Sequence, residues 1–404
     1  MYIALSWRNL WRNKRRSLIA AASVFFAVLL AVVMRSVQNG SYAYMIHSSV
    51  KFYTGYLQIQ GKGYWDNRSL DQSIVINKKQ QQEILNIPHV ISAVPRLEAF
   101  SLVSHEKVTK VSQIIGIDPI LENNMTELKK KLVKGKYLTD SPDGVLIGQG
   151  LADMLKVSVG DSVVLFGQGY HGVIAAARLP VVGIVKFPIS EMNNAMVFLA
   201  LPNAQNIFSA YGKITSLAIM VDTIKNQNKV YKSLKAMFNN QYTLMTWQEM
   251  MPDLVQGIEI DNASGLVMLI ILYIVIAFGI FGTIMMMTSE RAKEFAVLIS
   301  IGMKKIRLIW VSSLETVFLA FLGAFAGTVV SLPIIFYFHY NPIPITGNAA
   351  RAFDTLGVEP IFNFSTEPSI FINQAIVVLI IALATALYPA LFIGKLDPVK
   401  AIKS

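Results

Sequence analysis

Four stretches of this chain are apolar over a length that matches the thickness of a lipid bilayer, and they fix its class before anything else is read. A membrane-spanning helix needs about 20 mainly apolar residues. Residues 17–34 (SLIAAASVFFAVLLAVVM), 264–287 (SGLVMLIILYIVIAFGIFGTIMMM), 308–338 and 372–394 each supply such a run. The third contains Gly323, Gly327 and Pro333. Mean hydropathy is +0.48 and only 15% of the 404 residues are charged, against about a quarter in soluble domains.

The basic residues set an orientation. Arg8, Arg12, Lys14, Arg15 and Arg16 precede the first run. Arg291, Lys293, Lys304, Lys305 and Arg307 lie between the second and third, and Lys395, Lys400 and Lys403 follow the fourth. Residues 339–371 carry only Arg351. The positive-inside rule then puts both termini and the 288–307 loop in the cytoplasm, and residues 35–262 and 339–371 outside. The expected setting is a bacterial inner membrane. The net charge of +11 thus reflects the membrane, and no nucleic acid partner is expected. A basic start before an apolar run also fits a signal peptide. This run is long for one and lacks a small-x-small cleavage site before Arg35, so an uncleaved anchor is expected.

No chemistry-bearing motif is present. There is no cysteine, and His47, His89, His105, His171 and His339 have no helical i,i+4 pairing for a metal. G-x-x-x-x-G-K-[ST], G-x-S-x-G and H-E-x-x-H are absent, so the chain is not its own P-loop ATPase. No catalytic residue, bound cofactor or metal is expected. Gly167, Gly169 and Gly172 do not have dinucleotide-loop spacing and read as a hairpin turn.

Residues 35–262 read as an α+β domain. Residues 56–60, 90–98, 110–117, 162–166, 179–187, 195–201 and 216–221 have strand composition. Residues 78–87, 125–134, 150–155 and 224–238 have helical periodicity, the last behind the N-cap candidates Asp222 and Thr223. Similar strand–helix stretches at about 50–110 and 212–250 predict one subdomain built from both ends, with a β-rich subdomain inserted at about 111–210.

Two short segments on the cytoplasmic side are amphipathic. Residues 1–16 place Ile3, Trp7, Leu10 and Trp11 at helical spacing among Arg8, Arg12 and further basic residues, which predicts a helix lying in the lipid interface. Within 288–307, Ser289 is a candidate cap for a helix starting at Glu290 and Arg291. Glu294 sits in its first turn, Phe295, Leu298 and Ile299 line one side, and Gly302 ends it. These residues fit either a lever for a cytoplasmic partner or an ordinary capped loop. Glu315 lies about 10 Å into the third run at 1.5 Å per residue. A carboxylate there is a functional candidate, and without a second acid or His in the spans a structural or coupling role is preferred to a proton relay. Gly323 and Gly327 form a small-xxx-small pair for helix packing.

These segments resemble the FtsX-like permease family. SERAKEFAVLISIGMKKIRLIWVSSLETVFLAFLGAFAGTVVS is similar to its E-R-x-x-E helix followed by a membrane Glu and spaced glycines. LYPALFIGKLDPVKAIKS is similar to its C-terminal tail, and WRNLWRNKRRS to its N-terminal amphipathic helix. VLIGQGLADMLKVSVGDSVVLFG resembles a recurring stretch of the macrolide-exporter and lipoprotein-release group, and TGYLQIQGKGYW leans towards the lipoprotein-release branch. The resemblance implies a dimer, with a second copy or a paralogue, and a separate cytoplasmic ABC ATPase that binds ATP and Mg. It implies that Glu290, Arg291, Glu294, Phe295, Leu298 and Gly302 form the coupling helix docking on that ATPase. It implies porter-like and Sabre-like subdomains outside, meeting a periplasmic carrier or adaptor. Three functions follow as alternatives. The first is extraction of lipoproteins from the inner membrane, with an apolar cavity between the first two spans at the outer leaflet. The second is export of a drug, toxin or peptide, and the third is mechanical activation of a periplasmic enzyme.

Overall fold

The computed structural model describes residues 2–12, 14–139, 143–187, 190–347, 350, 361–398 and 401. Arg351, Lys400 and Lys403, used above for orientation, lie outside them. The chain begins with α1 (Tyr2–Arg12), α2 (Lys14–Ser49) and a π-helical turn (Val50–Thr54). Next come β1 (Leu57–Gln60), α3 (Tyr64–Asn67), α4 (Lys78–Leu85), β2 (Val90–His105), β3 (Val108–Ile117), α5 (Pro119–Thr126) and β4 (Leu132–Gly135). They are followed by β5 (Val145–Gly148), α6 (Gln149–Leu155), β6 (Ser162–Gln168), β7 (Ile174–Val185), α7 (Ser190–Ala195), β8 (Met196–Ala200) and α8 (Leu201–Ile207). β9 (Ser216–Val221), α9 (Gln227–Phe238), β10 (Thr243–Thr246) and α10 (Trp247–Met250) complete this part. The remainder is α11 (Pro252–Glu290), α12 (Ala292–Ser300), α13 (Lys305–Tyr340), β11 (Ile343–Pro344), β12 (Ile361–Phe362), α14 (Pro368–Thr385) and α15 (Leu387–Lys395).

The chain divides into two compact units. The first comprises Met1–Tyr44, Gly257–Pro344 and Ile361–Ser404. Four helical segments, Ser17–Thr54, Pro252–Glu290, Lys305–Tyr340 and Pro368–Lys395, are long and apolar enough to cross a membrane. α13 runs through Pro333 without a break. The helices share a core in which Val24 and Val28 of α2 pack with Ile276, Ile280 and Ile284 of α11, Ala324 of α13 and Val378 of α14. Spacings of four place these residues on one face of each helix. Gly323 and Gly327 have a specific task here. A Cβ on Gly323 would sit 2.6 Å from the Ala21 carbonyl oxygen, and one on Gly327 2.7 Å from that of Phe25. The pair lets α2 lie directly on α13, the close approach that small residues permit.

Near Arg35 of α2 and Asn262 of α11 the two helices meet through polar side chains. Arg35 Nη1 donates to Asn262 Oδ1 at 2.8 Å and to Gln38 Oε1 at 2.6 Å, and the Tyr42 hydroxyl donates to Asp261 Oδ2 at 2.5 Å.

The second unit, Met45–Gln256 with Ile345–Pro360, is built on a ten-stranded sheet of order β10-β1-β9-β2-β3-β8-β5-β7-β4, with β6 bridging β2 and β7. β3–β8 and β5–β7 are parallel and the other pairs antiparallel. β2 serves two cores. Ala93 and Val94 pack with Ile59, Ile219, Val230 and Leu234, whereas Leu97, Ala99 and Val103 pack with Val145, Leu165 and Val197. The change of core therefore falls near residue 96, inside one strand, rather than at 110–111.

Arg96 marks that crossing. Its Nε and Nη2 donate to Glu122 Oε2 and Oε1 at 2.9 and 2.7 Å, with both side chains buried, and Nη1 donates to the Tyr53 carbonyl. Glu98 beside it accepts from Ser216 Oγ at 3.0 Å and Gln113 Nε2 at 3.2 Å. A charge is tolerated in such a place only when its hydrogen-bonding capacity is met.

The helix predicted over 125–134 is not continuous: α5 ends at Thr126, and Leu128–Lys131 make only a short 3-10 turn. The helix starts earlier, where Asp118 Oδ1 caps Ile120 and Leu121 and Pro119 occupies the first turn. It stops at Glu127, which takes φ +54°, and residues 132–135 become β4. The glycines at 167–172 lie in the β6–β7 hairpin, which pairs Gln168 with Ile174.

Candidate functional site

The candidate site lies where α1, α12 and the start of α13 meet, within the first unit. α1 has two unlike faces. Ser6 and Leu10 are buried, while Trp7, Arg8, Trp11 and Arg12 are exposed. Ser6 Oγ donates to the Val311 carbonyl of α13 at 3.0 Å, and Leu10 packs on Ala20 and Leu319. Trp7 makes edge contacts with Trp11 and Phe318 at 6.1 and 6.0 Å between ring centres. Ser17 Oγ of α2 donates to the Leu10 carbonyl at 2.9 Å and so holds the α1–α2 corner. Leu10, expected beside the tryptophans on a lipid-facing stripe, turns into the bundle instead, because Ser6 and Leu10 share a face at i, i+4.

The helix between the second and third spans begins differently from the sequence expectation. Ser289 and Glu290 are the last residues of α11, and Ser289 caps nothing. The break falls at Arg291 (φ −89°, ψ 4°), and α12 begins at Ala292. At the other end Gly302 takes φ +102°, its N–H donating to the Ile299 carbonyl and the Met303 N–H to that of Leu298, each at 3.0 Å. This pair of hydrogen bonds is a Schellman closure, and its left-handed residue suits glycine.

A chain of charges joins the three elements. Arg291 Nη1 donates to Glu315 Oε2 at 2.5 Å, and Asn9 Nδ2 of α1 donates to Glu315 Oε1 at 2.7 Å. Arg291 Nε reaches Glu294 Oε2 at 3.3 Å, and Arg12 Nη2 reaches the same oxygen at 2.7 Å. The two ends of the chain differ in exposure. Side-chain exposure is 12% and 5% for Arg291 and Glu315, but 55% and 50% for Arg12 and Glu294. Screening leaves the outer pair worth about 0–1 kcal/mol. The inner pair is the one whose rupture strands a buried charge.

α12 is anchored by one side and open on the other. Phe295 is buried against Leu308 and Ile393, with Ile299, Met303 and Phe392 around it. It is therefore part of the bundle and does not share a face with Leu298. Val297, Leu298 and Ile301 are exposed, Ile301 at 78%. Lys305 Nζ donates to the Gly394 and Leu396 carbonyls at 3.1 and 2.9 Å, so the end of α15 is tied to the start of α13.

Of the residues singled out from sequence, Arg12, Arg291, Glu294 and Glu315 come together in one network. Phe295 supports it from below, Leu298 stands on the open face, Gly302 closes the helix, and Gly323 and Gly327 serve α2 packing elsewhere on α13. Ser6, Asn9, Val297 and Ile301 were missed. The available signal for Ser6 and Asn9 was a pair of small polar side chains flanking the Leu10 face.

Four apolar helices, a large α+β domain and an inter-span helix held by charges define a multi-pass membrane permease. Residues 266–398 match the family described as FtsX-like permease C-terminal, and residues 17–237 match the MacB-like periplasmic core domain. The second match alone covers more than half of the chain, which belongs to this family and is an ABC transporter permease of the MacB/LolC type. The family implies a partner ATPase.

The lipoprotein-releasing system transmembrane protein LolC of Neisseria meningitidis serogroup B is 21% identical over 78% of this chain and 75% of its own length. LolC of Haemophilus influenzae is 21% identical over 100% of this chain and 98% of its own. An uncharacterized ABC transporter permease of Methanocaldococcus jannaschii is 20% identical over 82% of each. The solved periplasmic region of MacB from Actinobacillus actinomycetemcomitans aligns with 51% of this chain and 95% of its own, at 12% identity and a TM-score of 0.36.

Proposed function

We propose that this chain is the non-catalytic permease of a bacterial inner-membrane ABC system that turns ATP hydrolysis inside into movement outside. In this reading both termini and α12 are cytoplasmic, and residues 35–262 are periplasmic. A separate ATPase, which binds ATP and Mg, docks on Val297, Leu298 and Ile301. The permease works as a dimer with a second copy or a paralogue. The observation that carries the reading is the build of α12. One side is fixed in the bundle through Phe295, its first turn is salt-bridged to α1 and linked through Arg291 to α13, and its other side is apolar and exposed. An exposed apolar patch bounded by charges is the usual form of a protein contact.

Lipoprotein extraction, with hand-over to a periplasmic carrier, is the cargo assignment favoured by the two LolC relatives. Export through a periplasmic adaptor is the second reading, favoured by the MacB-like match over 17–237. The test is purification of the full chain from its host in mild detergent. An ABC ATPase should accompany it, together with a lipid-modified protein. Loss of the ATPase in Leu298→Asp, with normal membrane insertion, supports the docking face. An undiminished ATPase yield in that variant contradicts it. An adaptor in place of a lipid-modified protein selects the second reading.

A further inference from the structure

The ten-stranded sheet has two edges, and they are built differently. β4 has a register break between Leu132 and Lys134 and carries Lys134, with Lys131 and Lys136 beside it. Charge and bulging are what keep an edge from pairing with another chain. β10, Thr243–Thr246, pairs with β1 in unbroken register and has no charge, proline or bulge. The Trp247 N–H donates to the Tyr56 carbonyl at 3.0 Å. The alternation of an antiparallel ladder then turns Thr243 and Met245 towards β1 and Leu244 to the open side. Thr246 also faces that side, and its N–H is taken by Glu249 Oε2 at 2.7 Å. The N–H and C=O of Leu244 are left facing outwards.

α9 overhangs this edge. Between them is a cavity of about 200 Å³ lined by Ile59 and Leu244 from the strands and Tyr231, Leu234, Lys235 and Phe238 from the helix. The exposed surface of α9 is basic, with Lys229, Lys232 and Lys235 three residues apart and no acidic residue in the helix. Main-chain bonds at a free edge demand an extended partner, side-chain pockets choose every second residue, and surface charge chooses the sign.

We propose that the β10 edge beneath α9 receives an extended acidic segment of a partner protein as an added strand. Its backbone pairs with Leu244, one apolar side chain enters the cavity, and its carboxylates face Lys235, which lines the cavity, and Lys232 next to it on the exposed surface of α9. The inference is independent of the inter-span helix and of the cargo.

The experiment uses the full chain in detergent micelles and a fluorescent Val-Glu-Val-Glu-Val-Glu peptide, followed by anisotropy. Binding is expected. It should weaken by about tenfold in Leu244→Pro, which removes one outward N–H without touching the β1 ladder. The same loss is expected when alternate peptide amides are methylated, a comparison that leaves the protein unaltered. Lys232→Glu with Lys235→Glu should weaken it further, and a Val-Lys repeat should not bind. Absence of binding, equal binding of the methylated or lysine peptide, or an unchanged Leu244→Pro would overturn the proposal. So would sedimentation showing that Leu244→Pro turns a dimer into monomers, since the edge would then belong to a second copy.

Discussion

Arg291 answers two carboxylates, and the difference between them gives the clearest tests at the scale of single residues. Glu315→Ala leaves a mostly buried guanidinium without its nearer partner and should destabilise the detergent-solubilised protein by about 3 kcal/mol. Arg12→Ala breaks an exposed pair and should cost under about 1 kcal/mol. Thermal unfolding of both variants checks the order. In the second unit the pair Arg96–Glu122 invites a related comparison. Arg96→Met alone should cost about 3–5 kcal/mol, and adding Glu122→Leu should recover most of the loss. The exposed Asp222 carboxylate is held at about 2 by hydrogen bonds from Asn226 and His89. Its folded value lies below the ordinary 3.8, so its contribution to stability is present above that pH and is lost as pH falls towards 2. Carboxyl NMR titration of His89→Ala should show the value rising. Glu315 was legible as a lone acid in an apolar run. Its partners were not, because Asn9 lies 306 residues away and periodicity does not say which helix a face will meet.

At the scale of elements, the spans were legible because burial in lipid demands long apolar helices whatever they pack against. Helix ends were less so. Ser289 looks like a cap, yet α11 keeps its ladder through Glu290, and the break at Arg291 follows from the pairing of that side chain with Glu294 and Glu315. The continuous helix expected over 125–134 is broken by the left-handed Glu127, for which composition offers no warning, although Asp118–Pro119 was a readable start. The Gly323–Gly327 pair was legible as a packing motif, but its partner, α2, was not. Gly323→Leu should press into Ala21 and Val24 and destabilise the bundle by about 1–3 kcal/mol, read as a lower unfolding temperature in detergent.

At the scale of the whole molecule, the proposed function has a partner's movement enter at α12, pass to α1 and α13, and reach the outside through the large domain. In that reading the charge network also keeps α12 in step with α13. The most direct measurement is ATP turnover by the full chain reconstituted in lipid with its ATPase, compared with Leu298→Asp. The variant should insert and fold normally while the turnover that depends on the permease is lost. Turnover equal to that of the unaltered protein would mean that the ATPase does not couple through α12.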